Sequence, residues 1–502
     1  MSEYLIDDEL AEQDLLACAA RVAETIDNLE GHAEAIANVA ARYADAGQFD
    51  FAAALAETID DPFTRDRTLS NLAVKATESG ESDYASQLLE AVEDPSFQAE
   101  ALAQIAVARA EAGDCEEAAR VALGMEDASS TLAEIAVKCA AAGQYERALE
   151  IIRSIEYEGS AAYALTEIAA LHIKAGRANE AAESLSRALA QAESIELAED
   201  RVSMLVTVGL RYAEAGEQER AERILRDAAR LAETVEIEGY RESSYAQTSV
   251  GLARLGLDER ALEVASRIED SFQAASARTG VAAEHLRAGR REEALGLLSN
   301  ALQLVTDEEF YHESGYPASK YRALADIAVQ YALASSHDEA VRTAKMIDAE
   351  RERNVALAEV ARASTRAGDT DQALQAARMI EIQSLRVLAF TAIAGALLKD
   401  GQEQQERAFA VLSEAARAAG EIEWANDRTL ALVEVALKYN EAEREAEVER
   451  ILLQALESAR EIGNKLDLSA ALARLSDAYH ETGVETDDRV MEILREIVVH
   501  LD

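Results

Sequence analysis

Leu132–Ile155 reads LAEIAVKCAAAGQYERALEIIRSI, two short amphipathic stretches that meet at Ala142-Gly143. Text close to it recurs along the chain. Aligned on that glycine, equivalent positions fall at Gly47, Gly80, Gly113, Gly143, Gly176, Gly216, Gly256, Gly289, Ser335, Gly368, Gly401, Glu443 and Gly483. The spacings run from 30 to 46 residues, with 33 the commonest. Self-similarity at such a period marks a repeat array, in which each supersecondary piece buries its apolar side only against its neighbours.

The rows inside the repeats say how the pieces pack. Eight residues before each turn stands an aliphatic residue such as Val39, Ile135, Ile168 or Val435, and the next is small, as in Ala40, Ala136, Gly209 and Ala436. Five residues after the first ten turns comes an alanine, among them Ala52, Ala118, Ala148 and Ala221. A large residue beside a small one, facing a small residue on the following helix, lets two helices approach closely. The Gly256 repeat fits neither upstream row and reads as two residues short. Asp61-Pro62 and Asp94-Pro95 each place a capping carboxylate before a proline at the first helical position, where no amide donor is lost.

These residues resemble the tetratricopeptide repeat (TPR), whose period is 34 and whose turn glycine, following alanine and tyrosine row fall at these offsets. Tyr43, Tyr212, Tyr331, Tyr439 and Tyr479 occupy the tyrosine row. The chain departs from the pattern in lacking the tryptophan, in alanine for the first glycine and in having no regular terminal proline. The expected fold is therefore all-α, a single superhelical solenoid over 1–502 with about thirteen TPR-like hairpins. Residues 1–30 form an N-terminal capping region, 31–483 the repeats and 484–502 a C-terminal capping helix. Residues 13–28 read as a second helix whose first helix is missing.

Composition bounds the function. The chain has 502 residues, 49 basic and 96 acidic, for a net charge of −47, which opposes binding to a nucleic-acid backbone. Two readings of the acidity stand: adaptation to high salt, as in halophiles, or a surface made for a basic partner. Cys18, Cys115 and Cys139 are odd in number and lack metal-ligand spacing, so neither a disulfide framework nor a zinc site is expected. The first residues show neither a basic n-region nor an apolar h-region and no long uncharged apolar run occurs, so a cytoplasmic protein without membrane contact is expected. Seven histidines are scattered without ligand spacing, and His172, His285 and Cys139 lie on the tyrosine row, a packing position. No catalytic residue, metal or cofactor is assigned.

Charge is unevenly spread. Residues 278–399 carry seventeen acids and fifteen bases, a net of −2 in an otherwise strongly acidic chain. The TPR resemblance implies that the first helix of each hairpin lines a concave groove, with the residue two before the turn pointing into it. That places Arg287, Arg366 and Lys399 in the groove, with Val329 and Arg362 on the inward row six before the turn and Arg322 nearby. Phe310, Tyr311, Tyr316 and Tyr321 belong to an insertion that no other repeat has. The expectation is a non-enzymatic scaffold that binds a protein or peptide partner across this section. The alternatives are a docking or regulatory subunit of an enzyme complex, or a structural protein that self-assembles into a homo-oligomer through its C-terminal helix.

Overall fold

A computed structural model describes residues 5–307 and 317–501. Among these there are 28 α-helices and no strand, and the helices pair into TPR-like hairpins. Every turn position read from the sequence has a left-handed backbone, with φ between 54° and 98°, including Ser335 and Glu443. Most of them close a helix in the same way. In the Gly143 turn, the Gly143 amide donates to the Ala140 carbonyl and the Gln144 amide to the Cys139 carbonyl, both at 2.9 Å.

The packing rows behave as their residues dictate. The aliphatic row eight before the turn and the alanine row five after it are at most 3% exposed throughout. Gly209 shows why the row between must be small: a Cβ there would lie 3.2 Å from Leu225 and 3.3 Å from Ile224 on the second helix. One reading is corrected. The Gly256 hairpin is not short, because its first helix, Glu238–Arg254, has the usual 17 residues. Thr248 and Ser249 fill its rows, fully buried, and their hydroxyls are satisfied by the Ser244 and Ala246 carbonyls of the same helix at 2.7 and 2.8 Å.

Polar side chains stitch the links between hairpins. Buried Asp66 accepts the amides of Glu93 and Asp94 at 3.0 and 2.7 Å, and buried Glu242 accepts those of Glu269 and Asp270 at 2.9 and 3.0 Å. One position earlier on other first helices, Arg201, Arg386 and Arg428 donate to the carbonyls of Ile195, Ile380 and Ile422, six residues back, at 2.6 to 3.0 Å. A cation at the end of a helix also meets the negative end of its dipole. Asp61 caps Pro62–Glu78 by accepting the Thr64 amide at 2.8 Å.

The chain forms two compact bodies: a terminal body of 1–101 with 368–502, and a central body of 102–367. In the terminal body, Leu15–Glu24 packs along Lys465–Thr482 as a second helix packs on its first. The Ser469 hydroxyl donates to the Ala19 carbonyl at 2.9 Å, Lys465 reaches the Thr25 carbonyl at 3.2 Å, and Arg42 pairs with Asp477 at 3.0 Å. The first helix that residues 13–28 lack is thus supplied from the far end of the chain. Asp488–Val499 lies against the chain's own Asp8–Ala11, Leu15–Glu24 and Glu445–Ala459. Val498 is buried by this packing, and Val499 is 67% exposed.

The cysteine reading is also corrected. In the central body Cys115 and Cys139 form a disulfide, and Cys18, in the terminal body, is free and buried. Cys115 begins a second helix and Cys139 sits four residues before the next turn, positions that face each other across the link. The odd count concealed one pair and one core thiol. No helix of the described residues is long and apolar enough to cross a membrane.

Candidate functional site on the first-helix face

On the exposed side of the first helices, ion pairs link several of the helices to the next. In the terminal body these are Arg42–Asp477, Lys75–Asp45 and Arg474–Glu434; in the central body, Lys138–Glu111, Arg211–Glu167 and Arg254–Glu214. The face is charged but largely self-compensated. Pairs this exposed each stabilise by no more than about 1 kcal/mol.

In the central body, Ser271–Arg287, Pro317–Leu333 and Glu350–Arg366 pack in succession and carry the expected basic section. Arg287, Arg322, Arg362 and Arg366 are all exposed, and Val329 is half-buried between charged rows. They are not equivalent. Arg287 pairs with Glu284 and Arg362 with Glu359, each three residues back on its own helix, so both enter with their charge engaged. Arg366 makes no ion pair among the described residues, and Arg322 lies in the field of Asp326. Arg287 and Arg366 share the C-terminal row, whereas Arg322 stands eleven positions further from its turn, roughly 16 Å along the helix axis. Lys399 is exposed at the end of Gln383–Lys399 in the terminal body.

Tyr321 lies inside helix Pro317–Leu333 rather than in a loop, half-buried on the row that holds Asp66 and Glu242 in other hairpins. Phe310, Tyr311 and Tyr316 fall outside the described residues.

A feature the sequence reading passed over is a pocket of about 740 Å3 in the central body. It opens on the same face, between Ser129–Ala141, Glu158–Lys174 and Ala198–Glu214. Tyr157 and Tyr163 stand in it 45% and 49% exposed, with Glu134 and Asp200 also in its wall. Gly159 seats the first ring, since a Cβ there would meet Tyr157 at 2.5 Å. The Tyr157 amide donates to Ser129 Oγ at 3.2 Å and its hydroxyl to Asp200 at 3.3 Å. Partial burial, then the Asp200 charge, push the Tyr157 phenol up, so it remains a donor. The signal in the sequence is the position nineteen before the turn, an apolar or aromatic row that holds Tyr157, Leu197, Ile237, Ile382 and Trp424.

No protein-family model matches the chain, and no curated protein matches it. Similar solved structures include Naa15/Naa10 bound to HypK-THB, at 14% identity over 98% of this chain and 83% of that one, with a TM-score of 0.34. Yeast Tom70 is 14% identical over 93% and 99%, TM-score 0.28, and Ton1535 from Thermococcus onnurineus NA1 is 17% identical over 70% and 96%, TM-score 0.24. The class is defined by the hairpins themselves: left-handed turns, small-residue rows between paired helices and repetition from end to end make this a TPR-like helical repeat array.

Proposed function

We propose that the chain is a non-enzymatic scaffold that takes a peptide or helix of a protein partner on the exposed face of its first helices. The observation that carries this is the section around Val329, where exposed arginines flank a half-buried aliphatic floor and Arg366 has no carboxylate partner among the described residues. Apolar anchors between acidic residues fit such a section, and the acidic remainder of the chain rejects them, so charge sets where the partner lies. Burial of Val498 within the chain weighs against self-assembly through the last helix. The net charge of −47 weighs against a nucleic-acid partner.

Reversing Arg362 and Arg366 to glutamate tests the assignment. Capture of the partner is expected to be lost while helical content by circular dichroism stays unchanged. Full capture by the double variant, at a salt concentration where the protein is folded, refutes it.

A further inference from the structure

We propose that the pocket between Ser129–Ala141, Glu158–Lys174 and Ala198–Glu214 binds an arginine side chain of a partner peptide. This goes beyond the basic section around Val329, since it lies on other helices and has the opposite charge preference. The wall offers three things that a guanidinium on an aliphatic stem requires. Two half-exposed tyrosine rings, Tyr157 and Tyr163, stand in the wall, and a planar cation stacks on rings of this kind. Glu134 and Asp200 supply two carboxylates against one cation, Lys138, which also lines the wall and is engaged by Glu111, so the pocket is net negative. Val137 and Met204 line it with apolar surface for the three methylenes.

The arrangement is built rather than incidental. Gly159 is the residue that lets the Tyr157 ring lie down on the start of its helix, and Asp200, from the neighbouring helix, accepts that ring's hydroxyl. Three successive first helices therefore each contribute a distinct part. Glu134 makes no ion pair among the described residues, and Lys138, which lies in its field, is held by Glu111. A neutral or acidic side chain would gain little from the rings and lose against the carboxylates.

The test uses the full chain and a fluorescein-labelled peptide with one central arginine between leucines, against the same peptide with citrulline, which keeps the shape and removes the charge. Fluorescence polarisation should show saturable binding of the arginine peptide, with citrulline at least about tenfold weaker. A protein this acidic attracts any cation, so two variants carry the discrimination. Tyr163→Ala changes no charge and should weaken arginine binding about tenfold. Glu134→Gln should do the same, whereas Glu293→Gln, equal in charge and distant in sequence on another helix, should leave it within twofold. Equal losses for Glu134→Gln and Glu293→Gln, an unchanged affinity for Tyr163→Ala, or no saturable binding would overturn the proposal. The Arg362→Glu/Arg366→Glu variant should keep this binding, which separates the outcome from that of the basic section.

Discussion

Cys115, two residues past one turn, is bonded to Cys139, four residues before the next. The same two positions meet in other hairpins with other chemistry. Tyr145 stacks on His172 at 4.6 Å, Asp258 accepts from His285 at 2.9 Å and also pairs with Arg290, and His337 meets Ser364 at 3.4 Å. One geometric junction is filled by a covalent bond, a ring stack, a charged hydrogen bond and a neutral one.

The disulfide closes a loop over a separation of 24 residues. Chain entropy alone makes its loss cost about 3.5 kcal/mol, so reduction should lower the denaturant midpoint accordingly. Unreduced protein unfolded in guanidinium should titrate one thiol, Cys18, whose burial pushes it up to about 12 in the native state. Three thiols per unreduced chain would dismiss the bond.

Ala136 is fully buried at the closest approach of two helices, whereas Ala141 is exposed. Ala136→Leu should destabilise by roughly 1–3 kcal/mol through overpacking, and Ala141→Leu by much less. Equal shifts of the unfolding midpoint would mean the faces are assigned wrongly.

Ser335 and Glu443 hold left-handed turns at φ 54° and 55° that glycine holds elsewhere. A side chain there costs about 1–2 kcal/mol, offset by the greater chain entropy that glycine loses on folding. Glu443→Gly should still raise stability, by about 0.5–1 kcal/mol. A drop in melting temperature would show that the Glu443 side chain contributes something the turn geometry does not reveal.

His172 is held below its ordinary value by burial first and by the neighbouring Arg177 charge second. The folded state therefore binds fewer protons than the unfolded one just below pH ~6.5, and stability present above that pH declines as pH falls toward the lowered native value. His172→Phe keeps a ring to stack on Tyr145 and removes the titration. Its stability relative to the parent should improve between pH 7.5 and 5.5; a constant difference would exclude this contribution.

Net charge of −47 predicts repulsion between neighbouring repeats in dilute buffer. The screening length falls from about 10 Å at 0.1 M to about 3 Å at 1 M salt. The melting temperature should rise between those conditions, and a flat or falling curve would remove the high-salt reading of the acidity.

The turns were legible because a left-handed residue is most cheaply glycine, and period alone found Ser335 and Glu443. The Gly256 hairpin was misread because buried Thr248 and Ser249 look polar in sequence yet satisfy themselves on their own helix. The Cys115–Cys139 junction was hidden because its chemistry changes from repeat to repeat while only its geometry is kept. In the candidate site, exposure of the arginines followed from their rows. Neutralisation of Arg287 and Arg362 did not, although the acids three residues back are plain in the sequence. Tyr157 and Tyr163 were missed because they lie on two different rows of one helix, and the carboxylates that complete their pocket, Glu134 and Asp200, come from the helices on either side.

The bond between Ser469 and Ala19 spans 450 residues, which sets an order of events during synthesis. Most contacts in a helical repeat form between neighbours and can be made as the chain emerges. Leu15–Glu24 meets Asp8–Ala11 and Leu29–Asp45 early, but the first helix it pairs with, Lys465–Thr482, follows it by some 440 residues. At a translation rate of about 5–20 residues per second, that is a wait of roughly half a minute to a minute and a half. During it the side of Leu15–Glu24 that takes Lys465–Thr482, marked by the Ala19 carbonyl, stands open, so a newborn chain presents a binding surface that the finished one has sealed.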